Sequence, residues 1–215
     1  MTVNLFQHIE RSIKSNRKEN YMNNLYHGSI NPNIRQINPI SGLHNSDKKV
    51  AYLTDNIPYA LFYIWDKEHN HYEGKHVTAW IKDGTANYEE QFPDQLKAFY
   101  KGVSGYLYMV PFASDIKAME NRECLYYSSE NVTVESCEYI SDVYNELLKY
   151  EAKGQLKIRR YNEQSEQRQN ELIDLIATAI IKEDAFNDKA KSEFYKRYFV
   201  KAWEKAVQKI KGAEK

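Results

Sequence analysis

From residue 163 to Gly212 the chain contains neither glycine nor proline, whereas all five prolines and the other glycines lie before that stretch. So long a run without turn-forming or helix-breaking residues restricts the C-terminal part to helices. Its apolar residues agree. Leu172, Ile176 and Ala179 form one stripe, and Tyr195, Phe199, Ala202, Trp203, Ala206 and Ile210 form a second, each at the three-to-four spacing of a helix face. The preceding part is punctuated differently. Short β-rich runs, "VAYLT", "HVTAWIKDG", "SGYLYMVPF", "ECLYYS" and "NVTVESCEYI", alternate with turn residues and helical segments. One helix starts near Pro58 after a cap at Asp55 or Asn56 and runs through "PYALFYIWDK". A second, "FPDQLKAFYKG", ends at Gly102, and a third, capped by Ser141 or Asp142, is closed by Gly154. "INPNIRQINPISGLHNSDKK" has no sustained period and reads as a loop that could serve as a lid. "QLKIRRY" reads as an edge strand with solvated charges. This predicts a helical segment over 1–19, with Leu5, Ile9 and Ile13 spaced at four, an α+β domain over 20–162, and a helical tail over 163–215 packed on or beside the core.

Charge narrows the function classes. The 30 basic and 30 acidic residues cancel, so no overall field draws the chain to nucleic acid or to an anionic membrane. No apolar run has the length of a membrane span, and the N-terminus lacks a signal-peptide pattern, so the expectation is a cytoplasmic protein without membrane contact. Cys124 and Cys137 have no metal-ligand spacing and read as reduced thiols. His69, His71 and His76 in "EHNHYEGKH" read as a polar, turn-like loop rather than a zinc set.

Two separated stretches carry the candidate chemistry. "LYHGS" ends an apolar strand with His27, Gly28 and Ser29, and "AYLTDNIPYALFY" carries Tyr52 and Tyr63 eleven residues apart. A turn between strand and helix can aim both tyrosine rings at one cavity, forming a slot for a flat heterocycle, preferably a cationic one because ring faces are electron-rich. Glycine lets a ligand amide reach the backbone N–H and C=O.

The arrangement resembles the ADP-ribosyltransferases of the His-Tyr-Glu group, which includes diphtheria toxin and the poly(ADP-ribose) polymerases. "YHGS", Tyr52 and Tyr63 match that group's motifs, and the Thr54-Asp55-Asn56 turn looks like the toxin branch. Ala60 stands where the polymerases usually have a serine, and Val50 where a glycine is common. The resemblance covers roughly residues 24 to 135. It implies an ADP-ribosyltransferase-like split antiparallel β-sandwich with a C-terminal helical extension, and NAD as substrate. It further implies that His27 holds a ribose hydroxyl, Gly28 grips the nicotinamide carboxamide with Ser29 in support, and Tyr52 and Tyr63 bracket the nicotinamide ring. A glutamate is then expected at the start of a later strand. Glu123 in "RECLYYSSENVTV" is the first choice, ahead of Glu138 in "CEYI" and Glu135. The implied reaction is transfer of ADP-ribose, as a single unit, to a protein or nucleic-acid acceptor.

Overall fold

The computed structural model describes residues 24–43 and 46–213; the helical segment expected over 1–19 lies outside them. In chain order the elements begin with strands β1 (Asn24–Ser29), β2 (Gln36–Ile37), β3 (Ser41–Gly42) and β4 (Lys49–Thr54), then helices α1 (Ile57–Leu61) and α2 (Lys67–Asn70). The hairpin β5 (Ala79–Lys82) and β6 (Thr85–Glu89), helix α3 (Gln95–Tyr100) and strands β7 (Gly105–Pro111) and β8 (Lys117–Ala118) follow. Next come β9 (Leu125–Ser128), β10 (Val132–Thr133), β11 (Ser136–Ile140), helix α4 (Val143–Ala152) and β12 (Leu156–Arg159). The chain closes with α5 (Glu166–Lys182), α6 (Lys189–Tyr198) and α7 (Val200–Ala213).

The main sheet has the order β11-β7-β1-β4-β9-β8, with β3 added beside β4, and its pairings are antiparallel. β2 and β10 form a small antiparallel pair, and β5, β6 and β12 form a third sheet in which β12 runs parallel to β6 at its edge. The protein is therefore α+β with largely antiparallel sheets. Period-two alternation divides the main sheet's side chains between two cores. Leu25, Ala51, Leu53, Tyr108 and Val110 face one with Ile37 and Val132. Tyr26, Leu107 and Ile140 face the larger one, under the helices.

The C-terminal helices belong to that larger core. Phe194, Tyr195, Phe199, Ala202 and Ala206 are buried in the same cluster as Trp65, Tyr88 and Phe99. The Tyr72 ring stacks on Phe194 with centroids 4.2 Å apart. Arg168 on α5 clamps Glu89 on β6 through two hydrogen bonds, of 2.6 and 3.1 Å. No helix among the described residues is long and apolar enough to cross a membrane.

Several elements differ from the sequence expectation. The tail holds three helices rather than two, because the backbone leaves helical geometry at Phe199 (φ −123°, ψ 47°). No breaker residue marks that point; the bend lets the Phe199 ring approach His76, Phe92 and Phe194. The helix expected through "PYALFYIWDK" ends at Leu61, and the chain tightens into three-residue turns, Tyr63 N–H to Ala60 and Ile64 N–H to Leu61. "NVTVESCEYI" is two strands with different partners, β10 on β2 and β11 on β7. The loop expected over 30–49 contains β2 and β3. His76 does not sit in a solvated loop: it is half-buried against Phe99, Phe194 and Phe199 and hydrogen-bonded to Gln91 at 2.8 Å.

Because Phe194 is 2% exposed and touches rings from the α+β part and the tail alike, Phe194→Ala is expected to cost about 3–5 kcal/mol. Urea unfolding followed by circular dichroism measures this; an unchanged midpoint would separate the tail from the core.

Candidate functional site

β1 and β4 meet in one register pair, Tyr26↔Thr54, whereas β1 pairs with β7 along its whole length. Beyond that pair the two strands part. His27 bridges the gap, its Nδ1 lying 3.1 Å from the carbonyl oxygen of Tyr52. A carbonyl only accepts, so this bond places the imidazole proton on Nδ1 and leaves Nε2 as an acceptor. Burial lowers the His27 pKa below its ordinary 6.5, the bond to Tyr52 works against this, and the nearby charge of Lys75 adds to the lowering.

A cavity of about 1310 Å³ opens at the fork, and His27, Gly28, Ser29, Tyr52 and Tyr63 all line it. Tyr52 is held by its hydroxyl, which donates to the carbonyl of Gly42 at 2.9 Å and so ties β3 to the cavity wall. Tyr63 is fixed by Tyr59, whose ring is 5.6 Å away and tilted by 53°, with the two hydroxyls 3.2 Å apart. Burial, reinforced by Tyr59, raises the Tyr63 pKa, so the phenol stays protonated.

Gly28 has a structural cause. A Cβ at this position would run into the carbonyl oxygen of Ala60 and approach Ile64. The missing side chain is where α1 settles against β1, which brings Tyr63 towards Tyr52. The Thr54-Asp55-Asn56 turn locks the same region. Thr54 Oγ1 donates to the Cys124 carbonyl at 2.6 Å and accepts from the Asn56 amide at 3.0 Å. Asp55 accepts from the Tyr126 hydroxyl at 3.0 Å. Asn56 caps α1 by accepting from the Tyr59 amide and donates to the Gly84 carbonyl, each at 3.0 Å. Cys124 is a poor nucleophile here, since burial and then Asp55 push its thiol up to about 12.

The three candidate carboxylates fall elsewhere. Glu123 precedes β9, the strand that pairs with β4 through Tyr52↔Tyr127, but its side chain is not on the cavity lining and accepts from the Gly84 amide at 3.2 Å. Glu138 lies two strands from Gly28, in the register Glu138↔Leu107↔Gly28, is exposed, and also stays off the lining. Glu135 is exposed on the connection before β11 and is likewise not part of the lining.

Sequence reasoning missed the charged part of the lining: Lys75, Lys117, Arg122 and Glu120. Lys75 Nζ stands 5.5 Å from the centroid of the Tyr63 ring; the side chain is exposed to solvent on one side, and the protein on the other displaces enough water to lower its pKa. Glu120 is the one Asp or Glu on this lining. None of these residues lies in the motifs around His27 and Tyr52, so only their long-range placement reveals them.

No protein-family model matches this chain, and no curated protein and no solved structure matches it either.

Two outcomes follow from this geometry. Gly28→Ala is expected to destabilise the fold by about 1–3 kcal/mol through overpacking against α1, read as a lowered midpoint in urea. The lowered pKa values of His27 and His76, in both cases chiefly from burial, mean that the unfolded chain binds protons more readily than the native one below pH 6.5. Stability is then fully present above 6.5 and declines as pH falls from 6.5 towards the native pKa values. His76→Gln should flatten that decline in denaturation series between pH 7.5 and pH 5, about 1 kcal/mol per unit of pKa difference removed.

Proposed function

We propose that the chain folds as an ADP-ribosyltransferase-like split antiparallel β-sandwich with C-terminal helices and transfers ADP-ribose from NAD to a protein or nucleic-acid acceptor, releasing nicotinamide. The observation that carries this reading is the fork: His27, Gly28, Ser29, Tyr52 and Tyr63, from distant parts of the sequence, line one cavity where β1 and β4 separate. In this reading Nε2 of neutral His27 accepts from a ribose hydroxyl, and the Gly28 backbone binds the carboxamide with Ser29 beside it. Tyr52 and Tyr63 bracket the ring. As the bond between ribose C1′ and the ring nitrogen lengthens, positive charge develops on the ribose, and Glu123 supplies the compensating carboxylate.

A second reading, an NAD- or nucleotide-binding module without turnover, draws on a different observation. The Glu123 carboxylate is bound to the Gly84 amide instead of lining the cavity.

Incubation with labelled NAD and a cell lysate, with nicotinamide release and label transfer measured together, tests both. For the enzyme, Glu123→Gln is expected to lower nicotinamide release about 10²–10³-fold while NAD affinity by calorimetry stays within a few-fold. Full activity in that variant would move the role to Glu138, tested by Glu138→Gln. NAD binding without nicotinamide release from the unaltered protein over hours selects the binding module, and no NAD binding overturns both readings.

A further inference from the structure

A ring slot between two tyrosines would by itself favour a cationic ring, because both faces are electron-rich. Here the face of Tyr63 already carries a cation. Lys75 Nζ lies over that ring, 5.5 Å from its centroid. Its position is set from both sides of its short segment. Upstream, the Tyr72 ring stacks on Phe194 and the Tyr72 carbonyl accepts from Trp65 Nε1 at 3.1 Å. Downstream, His76 is held by Gln91 and by the rings of Phe99, Phe194 and Phe199. Lys75 forms no salt bridge among the described residues. Of the other ionisable groups on the same lining, Lys117 and Arg122 carry the same sign, His27 on β1 is held neutral by burial, and Glu120, in the hairpin after β8, is the one carboxylate, without a salt bridge to Lys75.

We propose that Lys75 makes the tyrosine slot selective for the uncharged nicotinamide over a pyridinium cation, and so favours departure of the ring from NAD. The inference rests on the transferase reading of this site. In the dinucleotide the ring nitrogen carries a formal positive charge. When the C1′–N bond breaks, its electron pair stays with nitrogen, the ring leaves as neutral nicotinamide, and the ribosyl carbon takes up the positive charge. A lone pair of the acceptor quenches that charge and the acceptor loses a proton. An ammonium beside the ring repels the bound pyridinium and not the leaving amide, so the repulsion is relieved as the bond breaks. The ground state is raised while the departing ring is not. Lys75 is thus a specificity-determining residue for the leaving group.

Binding of two ring ligands separates this inference from the reading beneath it. Nicotinamide is neutral, and 1-methylnicotinamide, methylated on the ring nitrogen, is a permanent cation of nearly the same shape. By calorimetry the unaltered protein should bind nicotinamide at least about tenfold more tightly than the methylated cation, the scale of one like charge in a partly desolvated site. Lys75→Met should abolish or invert that preference, Lys75→Arg should keep it, and Lys75→Gln serves as a second neutral variant should the methionine form fold poorly. In the transfer assay Lys75→Met should lower kcat about tenfold without raising KM for NAD. Binding of both rings with a preference unchanged by Lys75→Met and Lys75→Gln overturns the role of Lys75 and leaves the slot standing. Binding of neither ring to the unaltered protein overturns the slot itself, and this inference with it.

Discussion

The bond from the His27 imidazole to the Tyr52 carbonyl is the contact on which the candidate site depends. Where two neighbouring strands separate inside a sheet, the polar backbone groups along the gap lose their ladder partners, and leaving such groups buried and unpaired is costly. A side chain long enough to cross the gap, and able to donate from one end while accepting at the other, satisfies the strand edge and still presents a polar atom to a ligand. Histidine in its neutral form meets that requirement. Burial favours the same form by lowering the His27 pKa, so the tautomer and the charge state have a common cause.

The fork is also braced from behind. α1 lies against β1 only because Gly28 offers no Cβ to the Ala60 carbonyl, and Gly105 on β7 gives way to Ile64 in the same manner. The Tyr100 hydroxyl donates to the Phe62 carbonyl at 2.9 Å, fixing the chain after α1 to α3. These three constraints place the backbone that carries Tyr63, and the Tyr59 contact then orients its ring. The tail contributes through Phe194 and Phe199, which support the segment that carries Lys75. Residues far from the cavity in sequence thereby govern the charge inside it.

These dependencies explain what was legible in the sequence. His27-Gly28-Ser29, Tyr52 and Tyr63 stood out because local spacing and residue type suffice to mark a strand end and a strand-turn-helix unit. Pro58 and Asn56 marked the start of α1 for the same reason. The end of α1 was not legible, since Tyr63 and Ile64 continue an apolar helical pattern and only tertiary packing tightens the turns there. The break at Phe199 was hidden likewise, because aromatic packing bends the chain without a glycine or proline. Lys75, Lys117 and Arg122 follow no local spacing that would mark them, and only the fold gathers them on one lining.

The Glu123 contact links this wall to the third sheet. Gly84 sits in the turn of the β5–β6 hairpin, where its amide donates to Glu123 at 3.2 Å and its carbonyl accepts from Asn56 at 3.0 Å. Both partners flank Tyr52 and Tyr63 in the structure, one as the cap of α1, the other on the approach to β9, which pairs with Tyr52's strand. An exposed hydrogen bond of that length contributes about 1 kcal/mol or less net, because water replaces either partner. Breaking it therefore costs little. The buried bonds of Thr54 and Asn56 hold the turn in place meanwhile. The Glu123 carboxylate, off the cavity lining and held by one exposed bond, is thus the loosely fixed neighbour of a wall whose histidine and tyrosines are tied to backbone and to each other.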